Sequence, residues 1–246
     1  MMKQILILWA VPRSISTAFE RMMIERGDFT VFDEPFSEYY YFSNNRVANR
    51  YDKVTPKEAF NYENILEKIL LASYRQSVFV KDMAFHVKQC MTHKFLNNFK
   101  NTFIIRHPKF TLPSQFKILP DFTLEETGYE QQYRLFQMLC DMTGTPPIVI
   151  DGEDLCNNPE LIIKAYSDNV GIPFIPDSLH WQAELPSQLK LWKKWYKNVA
   201  ESTGFQRYTN ITESELILKT KKKVSKAYNF CLPFYEKIFK YRIQVV

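Results

Sequence analysis

The run Ile5-Leu6-Ile7-Leu8-Trp9-Ala10-Val11 limits the possible folds more than any other stretch of this chain. Its apolar character is unbroken, so it has neither the alternation of a strand with one wet face nor the 3.6-residue rhythm of a surface helix. It fits a short strand covered on both faces. The run is far shorter than the ~20 residues that a membrane span requires. It passes straight into Pro12-Arg13 without a small-residue cleavage site, which argues against a secretory signal and for a cytoplasmic protein.

Four more short apolar runs follow, at Phe29–Phe32, Ser77–Val80, Thr102–Ile105 and Pro147–Ile150. Between them lie helical patterns at Thr17–Arg26 (stopped by Gly27), Lys57–Tyr74, Val87–Phe99, Leu124–Met142 and Pro159–Asn169. Strand and helix in alternation specify an α/β fold of three layers, with a mostly parallel sheet between helices. Past Pro173 the chain turns helical and aromatic, and from Ser214 a lysine-rich C-terminal helix is expected. No repeat or low-complexity linker interrupts residues 1–246, which are expected to form a single α/β domain.

Composition narrows the function. Lys plus Arg total 32 against 27 Asp plus Glu, so the net charge of +5 suits an anionic ligand but is too mild to imply nucleic acid. The lysine-rich tail reads as a solvated helix face, with no membrane or nucleic-acid partner expected. Only 6 glycines exclude collagen-like and glycine-linker architectures. Cys90, Cys140, Cys156 and Cys231 contain no Cys-x-x-Cys pair and read as reduced thiols. Cys90 and His93 lack the further ligands that zinc needs, so no metal is expected.

In an open α/β sheet, ligands sit outside the carboxyl ends of the strands, which directs attention to the residues after Val11, Phe32, Val80 and Ile105. Pro12-Arg13-Ser14-Ile15-Ser16-Thr17 opens a helix after the first strand. Such a loop offers unpaired backbone N–H groups and the positive end of a helix dipole to an anion, with hydroxyls and a guanidinium beside them. An ordinary helix cap is the alternative reading. The Walker pattern and its lysine are absent, so a nucleoside triphosphate with magnesium is not the natural ligand. After the fourth strand, Arg106 is followed eight residues later by Ser114, a pair suited to a second phosphate or, more plainly, a surface arginine and a capping serine.

Taken together, these segments resemble the P-loop sulfotransferase superfamily. The match is to its small bacterial and plant branch, with a Trp-x-x-Pro-Arg-x-x-Ser-Thr start (Trp9, Pro12, Arg13, Ser16, Thr17) and the Asp33-Glu34-Pro35 turn. Ile148–Leu155 with Pro159-Glu160, then Tyr196 and Ser202-Thr203-Gly204-Phe205, resemble the family's later segments. The resemblance covers roughly 1–207. It implies a P-loop fold and 3′-phosphoadenosine 5′-phosphosulfate as sulfuryl donor. Arg13, Ser14, Ile15, Ser16 and Thr17 would hold the 5′-phosphosulfate, and Arg106 and Ser114 the 3′-phosphate, with Arg207 reaching it from the C-terminal side. A small molecule bearing a hydroxyl or amine would be the acceptor.

The sequence departs from the cytosolic branch of that family in two places. Arg13 and Ile15 replace a Lys and a Gly of the first loop, and Met83 stands where a Lys-x-His motif has its catalytic histidine. The base is therefore sought elsewhere. Glu34, in the turn beside the first loop, is the first candidate, as in some bacterial members. His86 is the second, since Asp82 stands four residues earlier and would share a helical face with it. Sulfuryl transfer needs alignment and charge stabilisation, for which Arg13, Lys81 and the loop amides are the candidates. His107 is expected to shape the Arg106 loop. Tyr39-Tyr40-Tyr41-Phe42 suits either an acceptor pocket or the packing of a helix on the core. A nucleotide-dependent phosphotransferase and a non-catalytic nucleotide-binding protein are the competing functions.

Overall fold

The computed structural model describes residues 1–51, 53–189, 192–207 and 211–245. Five strands form one parallel sheet: β1 (Ile5–Ala10), β2 (Phe29–Asp33), β3 (Ser77–Met83), β4 (Lys100–Ile105) and β5 (Ile148–Asp151), in the order β2-β3-β1-β4-β5. All five apolar runs read from the sequence become strands. The helices are α1 (Ser16–Glu25), α2 (Pro35–Phe42), α3 (Tyr62–Ser73), α4 (His93–Leu96), α5 (Pro108–Ile118), α6 (Tyr129–Thr143), α7 (Gly152–Asn157), α8 (Pro159–Val170), α9 (Lys197–Ala200), α10 (Ile211–Thr220) and α11 (Lys222–Phe239).

The unbroken apolar run explains the central place of β1, every residue of which is buried. Because side chains alternate across a strand, Ile5, Ile7 and Trp9 enter a core with Ile69 of α3, Leu135 of α6 and Cys231 of α11. Leu6, Leu8 and Ala10 enter the opposite core, with Phe19 of α1 and Ile162 of α8. Trp9 keeps its indole satisfied by donating to Asn101 Oδ1 at 2.9 Å.

Two expected helices are corrected. The stretch Val87–Phe99 is not one helix but a 3₁₀ turn (Ala84–Val87), a loop and the short α4, restarted by Thr92, whose hydroxyl accepts from Phe95 N at 3.2 Å. A threonine in extended conformation offers that local bond in competition with helix continuation. The C-terminal lysine-rich region is two helices, parted at Lys221 in an extended conformation. Helix α5 follows β4 after a two-residue link. It begins on Pro108, whose missing N–H costs nothing at a first turn.

Strand order places the site. The chain runs from β1 out to β2, returns through β3 beside β1, and then crosses to β4 on the other side. Reversal of direction across β1 leaves a crevice at the carboxyl ends of β3, β1 and β4. The later chain comes back over this crevice, pinned by an antiparallel bridge between His180 and Gly204 and by Trp181 Nε1 donating to Ser202 Oγ at 3.1 Å. Among the described residues, no helix is long and apolar enough to cross a membrane.

Candidate active site

The loop after β1 carries two non-glycine residues in the left-handed region, Arg13 (φ 67°) and Ile15 (φ 73°). A β-branched residue held there costs about 1–3 kcal/mol, strain that persists where a site requires it. The backbone curls here, with the Ser14 amide donating back to the Val11 carbonyl at 3.3 Å. Helix α1 starts from it without a side-chain cap, its Ala18 and Phe19 amides donating to the Ile15 carbonyl at 3.0 and 3.1 Å. Gly152, just past β5, permits the close packing of this loop: a Cβ there would stand 2.9 Å from the Ser14 carbonyl oxygen.

The Arg106 segment closes on the same loop. Arg106 Nη1 donates to the Arg13 carbonyl at 3.1 Å, and its Nε pairs with Glu153 Oε1 at 2.7 Å. Arg13 in turn donates from Nε to Ser114 Oγ at 2.8 Å and from Nη1 to the Trp195 carbonyl at 2.6 Å. Arg207 reaches the same region, donating to the Asn157 carbonyl at 3.2 Å. Arg13, Arg106, Ser114, Trp195 and Arg207 line one cavity of about 300 Å³, together with Ile15, Ser16, Thr17, Glu34 and His86, within the range of small-molecule pockets. The loop after β1 and the Arg106–Ser114 segment therefore touch one another and line a single cavity.

Ser14 and Lys81 are placed differently from the expectation. Ser14 is fully buried, its hydroxyl donating to the Val11 carbonyl at 2.7 Å, so it braces the loop from beneath. Lys81 is fully buried as well, its ammonium 2.6 Å from Asp33, 2.7 Å from Glu34 and 3.3 Å from Glu20. Its charge is spent on carboxylates, which corrects its assignment to a developing phosphate charge. Burial alone would depress the Lys81 ammonium, but the three carboxylates outweigh it and hold it well above its ordinary value. Tyr196 completes the group, donating to Asp33 Oδ2 at 2.7 Å.

Glu34 stands at the lip of this cluster. It is left-handed (φ 46°) at the start of α2, with its N–H donating to the Lys81 carbonyl at 2.8 Å. Burial raises its carboxyl above the usual range, against the pull of Lys81. Burial raises Glu20 well above the range, helped by Asp33. Three carboxyls thus share one buried lysine.

His86 lies in the 3₁₀ turn after β3, its Nδ1 hydrogen-bonded to Asp82 Oδ1 at 2.6 Å. Asp82 also accepts from Phe36 N at 2.8 Å and Met83 N at 2.7 Å, which fixes the carboxylate behind the ring. With Nδ1 taken, Nε2 is the nitrogen that can address the cavity. The i, i+4 spacing read from the sequence is thus a real pair. Met83 lines the cavity without a polar atom to offer. Of the tyrosine stretch, all three rings are buried in packing, and Tyr41 also lines the cavity. His107 sits beside Arg106 and stacks between Tyr228 and Tyr235 of α11 (ring centroids 6.0 and 5.0 Å), and burial lowers its pKa to about 4.

Sequence reasoning missed Glu20, Glu153, Tyr51 and Trp192. The signal for Glu20 was present: it sits within Ala18-Phe19-x-x-Met22-Met23, on a helix buried over most of its surface. Trp192 and Tyr51 reach the cavity from segments whose spacing carries no periodicity.

A family model described as sulfotransferase domain matches residues 2–240. Among curated relatives, the Branched-chain-amino-acid aminotransferase-like protein 1 of Arabidopsis thaliana is 31% identical over 199 residues, covering 80% of this chain and 36% of that protein. The corresponding protein 2 is 28% identical over 204 residues, covering 82% and 36%. The chain thus spans little more than a third of the length of these relatives. Two solved structures share the fold. The sulfotransferase domain of the Synechococcus PCC 7002 olefin synthase has a TM-score of 0.59 at 13% identity, over 99% of this chain and 97% of that one. The sulfotransferase domain from the curacin biosynthetic pathway has a TM-score of 0.54 at 12% identity, over 94% and 97%.

Proposed function

The chain belongs to the sulfotransferase-domain family, and from that premise we propose that it moves a sulfuryl group from 3′-phosphoadenosine 5′-phosphosulfate to a small-molecule acceptor. One observation carries the reading: the loop after β1 and the Arg106–Ser114 segment, each suited to one phosphate, meet on one cavity, linked by Arg106 Nη1 to the Arg13 carbonyl.

The residues present fit such a donor. The uncapped start of α1 and the left-handed Arg13 and Ile15 form an anion cradle, and three arginines converge on the same side of the cavity. Arg13, Ile15, Ser16 and Thr17 would hold the phosphosulfate end, and Arg106, Ser114 and Arg207 the 3′-phosphate. When bound, the donor supplies an activated sulfur–oxygen bond whose leaving group is a phosphate. The chain's own part is alignment and charge stabilisation, by the loop amides and by Arg13, whose fork of donors suits oxyanions. Glu34 takes the acceptor's proton, its raised carboxyl bringing its basicity nearer to neutral pH, for a contribution of about 10²–10⁴-fold. His86, oriented by Asp82, positions the acceptor oxygen. The buried Lys81 holds Glu34 in place.

The test is transfer from labelled donor to a metabolite panel, run beside the melting of the protein with adenosine 3′,5′-bisphosphate. The bisphosphate is expected to raise the melting temperature, and Arg106→Ala to abolish the rise. Stabilisation by ATP with magnesium instead would favour a phosphotransferase, and donor binding without transfer a binding protein.

A further inference from the structure

At the Arg50 end of the cavity, Tyr41, Tyr51 and Trp192 pack as a continuous aromatic wall, with ring centroids 5.1 Å (Tyr41–Tyr51), 6.0 Å (Tyr41–Trp192) and 6.0 Å (Tyr51–Trp192) apart. Presupposing the transfer reaction proposed above, we propose that the acceptor is a short amino alcohol or quaternary ammonium alcohol. Its cationic end rests on the Tyr41–Tyr51–Trp192 wall, and its hydroxyl faces Glu34 and His86.

Three features lead there. Electron-rich ring faces attract a cation within about 6 Å of their centroids, and tyrosine and tryptophan do so better than aliphatic side chains. The wall adjoins the proton-accepting groups: the Tyr41 ring centroid lies 5.7 Å from that of His86. A cation on the wall is therefore separated by only a short chain from a hydroxyl at Glu34.

The third feature is charge. The cations of this end are already engaged, Lys81 by Glu20, Asp33 and Glu34, and Arg50 by Glu126 and Asp121. An anionic acceptor would meet carboxylates whose counter-charges are spent. A neutral alcohol would pack on the rings but gain nothing from the three carboxyls sharing one lysine. A cation gains from both, and it lowers the cost of keeping Glu34 ionised as base.

The chemistry then selects oxygen over nitrogen. A protonated or quaternary nitrogen has no lone pair for sulfur. The hydroxyl oxygen bonds to sulfur as the sulfur–oxygen bond to the donor's 5′-phosphate breaks, and the hydroxyl proton passes to Glu34. The products are a sulfate ester and adenosine 3′,5′-bisphosphate.

Matched acceptors test this directly: choline against its neutral carbon isostere 3,3-dimethylbutan-1-ol, and the pair longer by one methylene, with phenol and a hydroxy acid as further arms. Initial rates with the sulfuryl donor are read beside melting with adenosine 3′,5′-bisphosphate. The charged member of at least one pair is expected to show a kcat/KM about tenfold or more above its isostere. Trp192→Leu and Tyr51→Leu are expected to erase that preference through KM while the bisphosphate still raises the melting temperature. Trp192→Phe, which keeps a ring, retains most of it. Equal use of both members, preference for phenol or the hydroxy acid, or no turnover of any cation despite bisphosphate binding overturns the inference. Absence of any bisphosphate effect on melting overturns the donor reading itself.

Discussion

Lys81 is a cation without solvent, held by three carboxylates and a tyrosine hydroxyl beneath the cavity. Removing one partner of a buried ion cluster leaves the others uncompensated, at about 3–5 kcal/mol. Lys81→Met is therefore expected to lower stability by that amount in urea unfolding at neutral pH. Without the lysine, the carboxyls of Glu20 and Glu34 rise further in the folded state. The unfolded chain then ionises first as pH rises, so the deficit grows as pH rises above the ordinary carboxylate range. A deficit that stays level over that rise would remove the ionic account. Glu34 has a catalytic signature of its own. A base must be deprotonated, and burial has moved this carboxyl above 4.5, so kcat/KM is expected to fall on the acid side at a pH above the ordinary carboxylate value. Glu34→Gln is expected to lose about 10²-fold or more in kcat and the acid limb with it, while the bisphosphate still binds.

At the scale of elements, the junctions matter more than the elements they join. Asp151 ends β5 and caps α7, accepting from Glu153 N at 2.9 Å and Asp154 N at 3.2 Å. It also accepts from Tyr235 of α11 at 3.1 Å, tying the C-terminal helix to the sheet edge. Burial raises its pKa from 3.8 to about 6, against the pull of those amides. The folded state thus holds this proton more tightly than the unfolded chain, and stability falls as pH rises from 3.8 to about 6. Asp151→Asn keeps an acceptor oxygen and removes the titration. The stability of the native protein relative to the variant is expected to drop by about 2–3 kcal/mol across that window in thermal or urea melts. Parallel curves for the two proteins would show that Asp151 does not carry the shift.

At the scale of the molecule, the cavity is roofed by chain that is distant in sequence: Arg13 reaches the Trp195 carbonyl and Tyr196 reaches Asp33. A ligand filling the cavity touches both the sheet and the returning segment, so it stabilises them together. At about 100 times its dissociation constant, adenosine 3′,5′-bisphosphate contributes about 2.7 kcal/mol. For a chain of this size that is a rise in melting temperature of about 5–10 °C. Ser114→Ala removes one hydroxyl near the proposed 3′-phosphate end and is expected to shrink the rise, whereas a neutral nucleoside is expected to give none. A full-sized rise with adenosine alone would detach the arginines from recognition.

How much was legible follows from the range of each interaction. Strands and most helices were readable because burial on two faces or one leaves a period in the chain itself: unbroken in Ile5–Val11, every third or fourth residue in Lys57–Tyr74. The two loops after β1 and β4 were readable for the same local reason, since a strand end, a turn and a helix start lie within a few residues. The Asp82–His86 pair was suggested by its spacing, but a strand end and the 3₁₀ turn after it, not a helical face, bring the two together. What contacts span in space but not in sequence was closed to inspection. Lys81 looks like a free cation until Glu20, Asp33 and Glu34 are brought around it, and the wall of Tyr41, Tyr51 and Trp192 is drawn from segments far apart along the chain. Composition and spacing decided the sheet and the loops at its carboxyl edge. Only the folded chain decided which charges are spent, because desolvation and pairing depend on neighbours that the linear order does not place together.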